Sequence, residues 1–505
     1  MTAAASAAAT SLSPGLCGAI AVLAALRVCL PASSWDAAGL LWLFCLLALL
    51  LVLLVQRMRN RRAGGVAAWP KPGVIGWCAG AAWLALAIAV VRRDDATHSG
   101  LDLAMGWAGV LAMAWLLSQA GSRTACAAGL GGLAGLTLLG LGQAGFTLPG
   151  MRALPDAEIL DQAQRAFGAT APIDPESGQA AALIRDFRER VDKGGIYGPF
   201  TIANALAIVA VAWVTGLAAA AWTARRSTTG LATGLALLTG ALALTWLSGS
   251  KGAWLCLGGG LAWAWCRHGP GLWRWAGLLP MAAGVLVLLI PAWRAPLQAS
   301  IDVRLDYWRS ASHLIAEAPI AGHGFAAYAE EAARVAAPGA ATARAVHNEI
   351  LEAAVFGGLP AAAIIAALLL ACCWPWRGMG RSRLDAGGPG SRDPALGGAA
   401  LVLAAAGALM LSLTADAGVA WWPGVRAGGW GVAVLWSAAV IAATVAAIRL
   451  GGSLGPLPCW AATAGATAIA LGCLIDFHLH EPGLGMALAA LLIGAAGKTA
   501  GDTHA

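Results

Sequence analysis

Residues 200–223 read FTIANALAIVAVAWVTGLAAAAWT, a stretch of apolar and small residues without a single charged side chain. A helix needs about 20 such residues to cross the roughly 30 Å hydrocarbon core of a bilayer. Similar runs recur along the chain, whose 505 residues are 59% hydrophobic and 11% charged, with a mean hydropathy of +0.73. This composition differs from that of a soluble domain and predicts a polytopic membrane protein.

About fourteen candidate spans follow from these runs. Ala, Gly and Leu dominate them, and small residues allow transmembrane helices to approach closely. We therefore predict an all-α fold, a polytopic transmembrane bundle of about 12–14 helices. The spans lie at 15–32, 37–55, 73–91, 103–119, 125–147, 200–223, 228–247, 252–266, 276–292, 350–374, 396–414, 427–447, 459–475 and 483–497.

Basic residues cluster at alternate ends of these spans, and short loops rich in Lys and Arg stay in the cytoplasm. The clusters are Arg57, Arg59, Arg61, Arg62 and Lys71, then Arg225 and Arg226, then Arg267 and Arg274, then Arg377, Arg381, Arg383 and Arg392. All fall on one side, which predicts cytoplasmic termini and two long exterior loops, about 148–199 and 293–349. The net charge of +7 reflects this topology and gives no reason to expect nucleic acid.

The chain divides accordingly into five parts, at 1–147, 148–199, 200–292, 293–349 and 350–505. The first, third and fifth contain the spans, and the second and fourth are the loops. Eleven cysteines lie in or at the ends of apolar spans. We expect them to be small buried residues rather than disulfides, and no spacing resembles a zinc site. No P-loop, dinucleotide fingerprint or HExxH motif occurs.

The second long loop and its ends contain the most informative polar residues. Arg304 and Trp308 are one helical turn apart, which favours a short amphipathic helix along the membrane surface. Gly-His-Gly at 322–324 predicts a tight turn. His347 and Asn348 stand where the loop becomes the apolar span 350–374. Their side chains are therefore expected at the boundary between water and lipid.

This pattern resembles the O-antigen ligase and polymerase family, bacterial transferases that move lipid-linked glycans on the periplasmic side. The most specific resemblance is His347-Asn348 followed by Gly357-Gly358-Leu359. The other stretches are Arg304…Trp308…Pro319-Ile-Ala-Gly322-His-Gly324, Tyr197-Gly-Pro-Phe200 with Asn204, and Asp476-Phe-His478-Leu-His480-Glu-Pro482. One position departs from the family, because Ser250-Lys251-Gly252 stands where the family commonly has Ser-Arg-Gly.

The resemblance implies a GT-C-like glycosyltransferase of the bacterial inner membrane that needs no nucleotide sugar, cofactor or catalytic metal. Its donor would be an undecaprenyl-diphosphate-linked glycan, and its acceptor lipid A core or a second lipid-linked glycan. Such a reaction requires a base for the acceptor hydroxyl and fixed cations for the departing diphosphate. An imidazole, which ordinarily titrates near pH ~6.5, suits the first role.

The candidate site residues are His347 and Arg304 as the catalytic pair, Lys251 and Arg309 at the donor diphosphate, and Asn348 and Trp308 in support. Each has a structural alternative. His347 could cap the following helix, although Asn348 already suits that role. Arg304 and Arg309 could pair with Asp302, Asp306 or lipid phosphates. Lys251 could be an interfacial lysine whose alkyl chain lies along apolar surface while its ammonium group reaches water.

Other polar residues are expected to be structural. His313 and His323 favour such a role, as do His478 and His480 near a helix start. The charged run 185–190 predicts a solvated helix face, with a seat for an anionic acceptor as the alternative.

Two other classes of function remain open alongside the transferase. A flippase for lipid-linked glycans would also have many spans, but it would be expected to place ionisable residues inside the membrane, where only Arg27 lies well within a span. A non-catalytic scaffold of a polysaccharide assembly would be served equally well by two long loops. The stretch that begins at Asp476 favours polymerisation over ligation to lipid A core.

Overall fold

The structure, a computed structural model, describes much of the chain as a set of helices with short connections. The described residues are 14–29, 42–43, 45–51, 58, 99–160, 176–192, 195–196, 203–223, 228–271, 275–276, 278–279, 282, 290–324, 327–338, 345–373, 440–442, 444–445, 457–476 and 481–494. The predicted spans at 73–91 and 396–414 lie outside these residues, as does much of 37–55, 276–292 and 427–447.

Within these ranges the regular elements are helices and no strand occurs, which confirms the predicted all-α class. The helices are α1 (Pro14–Val28), α2 (Ser99–Ala120), α3 (Ser122–Gly142), α4 (Leu148–Arg152), α5 (Gly178–Asp192), α6 (Ala203–Thr223), α7 (Thr228–Leu247), α8 (Lys251–His268), α9 (Pro291–Glu317), α10 (Ala327–Val335), α11 (Glu349–Cys373), α12 (Cys459–Ile475) and α13 (Pro482–Gly494). A π-helical turn, Gln143–Thr147, connects α3 to α4.

The apolar runs of the sequence locate the long helices well. The predicted spans at 15–32, 103–119, 125–147, 200–223, 228–247, 252–266, 350–374, 459–475 and 483–497 coincide with α1, α2, α3, α6, α7, α8, α11, α12 and α13. By length and composition, the helical stretches Thr124–Gly150 and Glu349–Cys373 are able to cross a membrane, and the other apolar stretches are shorter. A full polytopic bundle and its orientation stay predictions.

Helix α6 lies at the centre of the helices that the structure describes. It packs against α7, α8 and α12, and its residues 205–213 are almost entirely shielded from solvent. Around it, α8 packs on α12 and α12 on α11, while α1, α2 and α3 gather with α13. The hydrophobic core runs through these helices without a break.

Small residues bring the helices of the core into backbone contact. A Cβ added at Gly260 of α8 would lie 2.3 Å from the carbonyl oxygen of Ala464 on α12. One added at Gly465 would lie 2.1 Å from the carbonyl oxygen of Ala212 on α6. These distances are too short for a side chain, so glycine sets the spacing of α6, α8 and α12.

The two predicted loops contain helices of their own. In the first, Arg188 of the charged run on α5 bonds the Asp156 carboxylate at 2.5 Å and the Leu154 carbonyl at 3.2 Å. In the second, α9 and α10 pack together over a small core of Ala311, Leu314, Tyr328, Ala332, Val346 and Val355. A helix around Arg304 and Trp308 is present as expected, but it is not short, since it is part of the 27-residue α9; its position along a membrane surface stays a prediction.

Candidate active site

His347 lies directly against Asp476, although 129 residues separate them in the sequence. The Nδ1 atom of His347 is 2.7 Å from Oδ1 of Asp476. The other carboxylate oxygen accepts a hydrogen bond of 2.5 Å from the side-chain amide of Asn204. Asp476 is 1% exposed, while a quarter of the His347 side chain remains accessible. A buried carboxylate thus joins a partly exposed imidazole to the start of α6.

The carboxylate determines which nitrogen of His347 can act as a base. An ionised carboxylate only accepts hydrogen bonds, so the proton between the two side chains belongs to Nδ1 of the imidazole. In the neutral ring, the lone pair is then on Nε2. Because the hydrogen bond to Asp476 fixes this tautomer, Nε2 is the atom suited to take a proton from a hydroxyl group.

Asn348 caps α11 and ties its start to α12. Its side-chain oxygen accepts hydrogen bonds from the backbone N–H groups of Ile350 and Leu351, at 3.0 and 3.1 Å. Its amide nitrogen donates to the carbonyl of Leu474 at 2.9 Å. Asn348 therefore fills the capping role that was the structural alternative for His347. Its supporting role in catalysis stays a prediction.

Tyr307 of α9 stacks on the imidazole of His347, with ring centroids 5.5 Å apart and planes inclined by 23°. The hydroxyl of Tyr328 on α10 donates to the carbonyl of Tyr307 at 3.1 Å. Burial raises the pKa of the Tyr307 hydroxyl, with the Arg304 cation opposing this rise and Asp306 adding to it. One face of the imidazole is thus covered by an aromatic ring that α9 and α10 hold in place.

Arg304 reaches the same end of α12 from α9. Its Nε donates to the carbonyl of Ile475 at 3.1 Å, and Nη1 donates to the carbonyl of Ser300, also at 3.1 Å, and to its hydroxyl. Ile475 immediately precedes Asp476, so the predicted cation lies one residue from the partner of His347. The structure therefore brings the two predicted catalytic residues to one place.

Lys251 is the first residue of α8 and is exposed. The Ser250 hydroxyl caps this helix by accepting from the N–H of Ala253 at 3.2 Å. A Cβ added at the next residue, Gly252, would meet the Ile475 side chain at 3.0 Å. The start of α8 thus packs against the residue that Arg304 binds, which is compatible with the predicted role of Lys251.

Arg309 and Trp308 are less directly involved. Arg309 is largely exposed and pairs with Asp306 at 2.9 Å, which is the structural alternative considered for it. Trp308 packs against the small core beneath α9 and α10, and its indole Nε1 is buried without a hydrogen-bond partner among the described residues. A role for Arg309 at the donor stays a prediction.

Residues 319–324 form a loop that contacts α11 where that helix is interrupted, around Gly358. Gly358 interrupts the helix with φ 71°, and Leu359 N–H donates to the carbonyl of Pro319 at 2.7 Å. The N–H of His323 donates to the carbonyl of Val355 at 2.7 Å. A Cβ at Gly358 would lie 2.2 Å from the carbonyl oxygen of Ile320. The glycines of the family pattern thus permit close backbone contact.

The remaining histidines of the sequence analysis have different outcomes. The Nε2 atom of His323 is 2.7 Å from the carbonyl of Leu314, which agrees with the structural role expected for it. His313 is exposed on α9. His478 and His480 lie outside the described residues.

Sequence reasoning missed the roles of Asp476, Asn204 and Tyr307. The first two stood in stretches that carried the family resemblance, but neither received a function because nothing local connects them to His347. One signal was available: Asp476 is an acidic residue that directly follows the apolar run 459–475. Such a residue, buried at a helix end, requires a polar partner.

The described part of the chain contains no group of three or more His, Cys, Asp or Glu side chains arranged to hold a metal ion. What the site offers is an oriented imidazole, a guanidinium close to it, and a lysine at a neighbouring helix start. This combination is suited to proton removal and to the binding of an anion.

Residues 231–366 match the family model described as O-antigen ligase. The segment covers Lys251, Arg304 and His347, and it confirms the resemblance drawn from the sequence. Asn204 and Asp476 lie outside it. No curated protein and no solved structure matches the chain.

Proposed function

We propose, from the match of residues 231–366 to the O-antigen ligase family model and from the geometry of the site, that this chain transfers a glycan from an undecaprenyl-diphosphate donor to a hydroxyl acceptor at the periplasmic face of the inner membrane. The product would contribute to a surface polysaccharide, either O-antigen or exopolysaccharide. His347 serves as the base, Asp476 orients it, and Arg304 binds the diphosphate together with Lys251.

The proposed reaction requires one proton transfer and one displacement. Nε2 of His347 takes the proton of the acceptor hydroxyl while its oxygen bonds to the anomeric carbon of the donor sugar. The bond from that carbon to the diphosphate oxygen breaks, and the diphosphate leaves with the electron pair. Arg304 and Lys251 stabilise the negative charge that develops there. The imidazolium that forms is stabilised by the Asp476 carboxylate, as a charge-assisted hydrogen bond.

The observation that carries this proposal is the contact between His347 and Asp476 beside Arg304. A buried carboxylate 2.7 Å from an imidazole is costly to maintain unless it is hydrogen-bonded, and here both of its oxygens are used. Arg304 reaches the adjacent carbonyl of Ile475. His347 and Arg304 thus contact two consecutive residues at the end of α12.

Exposed tryptophans support a position of this site at the membrane boundary. Trp246 near the end of α7 and Trp254 near the start of α8 are exposed at the end of the bundle that contains the site. Trp222 of α6 and Trp265 of α8 are exposed at the opposite end. Tryptophan is enriched at both surfaces of a bilayer. The 21 residues of α6 extend about 30 Å between these ends, close to the hydrocarbon thickness.

Fusions to alkaline phosphatase test the proposed topology, because this enzyme is active only outside the cytoplasm. Fusions after Pro172 and Pro338, in the two long loops, are expected to be active. Fusions after Arg226 and Arg383 are expected to be silent. Activity at the last two positions would invert the proposed orientation.

A flippase for lipid-linked glycans is the second candidate function. One observation favours it: Arg27 is 1% exposed within α1, with its guanidinium 5.4 Å from the ring centre of Trp42. Ionisable residues inside a bundle are frequent in transport pathways. The decisive assay uses purified protein in detergent, with a lipid-linked glycan and an acceptor. A transferase releases undecaprenyl diphosphate there, whereas a flippase has no membrane to act across and releases none.

A further inference from the structure

The backbone of His347 adopts a conformation that its side chain disfavours. With φ 56°, it is the only residue other than glycine with positive φ in the part of the chain that the structure describes. Left-handed backbone costs an ordinary residue roughly 1–2 kcal/mol, and such strain persists only where neighbouring contacts hold it. Asn348 provides such contacts on the C-terminal side of His347. A corresponding contact is needed on the N-terminal side.

Glu352 supplies that contact. Its carboxylate Oε2 accepts a hydrogen bond of 2.7 Å from the backbone N–H of Val346, the residue before His347. Val346 is fully buried in the small core shared with α9 and α10, so its N–H needs a partner inside the protein. The bond therefore holds the chain immediately before the strained residue.

This contact differs from an ordinary helix cap. In a capping box, a glutamate in the first turn bonds the N–H of the cap residue itself. Here the cap residue is Asn348, and Glu352 reaches past it by two further residues. The Glu352 carboxylate therefore does not satisfy the first N–H groups of α11, which lack acceptors within the helix. It binds instead the segment that leads into the left-handed turn.

We propose that Glu352 is a positioning residue, which holds Val346 through its hydrogen bond so that the left-handed turn presents the His347 imidazole to Asp476. This rests on the proposed function, because Glu352 acts only through His347. A displaced turn would leave the base present but misdirected. Turnover would then fall while donor binding, which depends on Arg304 and Lys251, would persist.

Two substitutions separate the hydrogen bond of Glu352 from its acidic group. Glu352→Gln removes the acid but keeps an oxygen at the same reach, so kcat is expected within about 3-fold of wild type. Glu352→Asp keeps the acid but withdraws the oxygen by one methylene, and kcat is expected to fall about 10- to 100-fold, as for a buried N–H group left without its partner. The donor KM should change less than about 2-fold in both variants. If Asp were tolerated and Gln impaired, the positioning bond would be refuted.

A double-mutant cycle tests whether the effect passes through His347. Glu352→Leu should lower turnover strongly in the wild-type background but less than about 2-fold in the His347→Ala background, where no base remains to be positioned. Equal losses in both backgrounds would show a general structural role and overturn the proposal. Glu317→Leu, at an exposed glutamate of α9 paired with Arg334, is the matched control and should leave turnover unchanged.

The failure of this inference is distinguishable from that of the proposed function. An impaired His347→Ala variant together with active Glu352→Asp and Glu352→Leu variants would refute the positioning role alone. A fully active His347→Ala variant would refute both. Thermal melting in detergent accompanies each measurement. If the Glu352→Leu variant unfolds below the assay temperature, the kcat values of Glu352→Gln and Glu352→Asp alone test the positioning role.

Discussion

Replacement of Asp476 by asparagine tests the orientation of the base, because it keeps the size of the side chain but removes its charge and one of its two acceptor oxygens. The carboxylate accepts from both His347 and Asn204. The introduced amide has one oxygen and one NH₂ group, so it can accept from only one of them. If Asn204 turns its own amide around, the fold keeps its hydrogen bonds. The imidazolium that forms during transfer nevertheless loses its anionic partner.

The loss can be estimated from this single bond. A hydrogen bond to a charged group contributes about 1.5–3 kcal/mol, and each 1.36 kcal/mol corresponds to tenfold in rate. We expect Asp476→Asn to lower kcat roughly 10- to 10²-fold with little change in the donor KM. The assay is the release of undecaprenyl diphosphate by purified protein in detergent. Asp302→Asn, at an exposed acid of α9, is the control. A well-folded Asp476→Asn variant within about 2-fold of wild type would refute the reasoning.

Three further predictions concern the break in α11, the cation and the tyrosines. Gly358→Ala should destabilise the folded protein by about 3 kcal/mol or more, because it places a side chain on backbone with φ 71° and 2.2 Å from a carbonyl oxygen. The melting temperature in detergent measures this loss. Gly258→Ala is the control and should not lower the melting temperature, because a Cβ there meets nothing within 4 Å. Arg304→Lys should lose at least about tenfold in turnover, nearly as much as Arg304→Ala. Lysine lacks both the Nε–H that donates to the end of α12 and the planar guanidinium suited to phosphate. An Arg304→Lys variant of full activity would show that Arg304 is only a surface charge. Burial raises the pKa of both Tyr307 and Tyr328, so the stability that their burial contributes should be complete below the ordinary phenol value of about 10 and lost as the pH rises through the folded values. In a Tyr197→Phe background, which removes the third tyrosine of the chain, absorbance at about 295 nm should show phenolates only as the protein unfolds. Ionisation of both remaining phenols near pH ~10 in folded protein would contradict this.

The long helices could be predicted from the sequence because hydrophobic runs leave few alternatives. Spans such as 200–223 and 459–475 are too apolar and too long for a surface element, and both form helices. The helices within the second loop were harder to predict. Only the spacing of Arg304 and Trp308 indicated one, since α9 is mixed in polarity and α10 is short.

The site was predicted in part, for a physical reason. His347 and Arg304 are recognisable from local patterns, and the structure brings them to one place. The buried partner of His347 depends on how α12 packs beside α11, which no local pattern specifies. The same holds for the left-handed backbone of His347, because it accompanies tertiary contacts, such as the bond from Val346 to Glu352, that no local pattern specifies.

The central claim, that His347 is the base of a glycan transfer, is tested most directly by the turnover of His347→Ala. Purified variant protein, with the melting temperature and donor affinity of wild type, should release undecaprenyl diphosphate roughly 10²–10⁴-fold more slowly. Its residual rate should lose the part of the pH dependence that protonation of the base gives the wild-type enzyme. A folded His347→Ala protein that works at the wild-type rate would contradict the account.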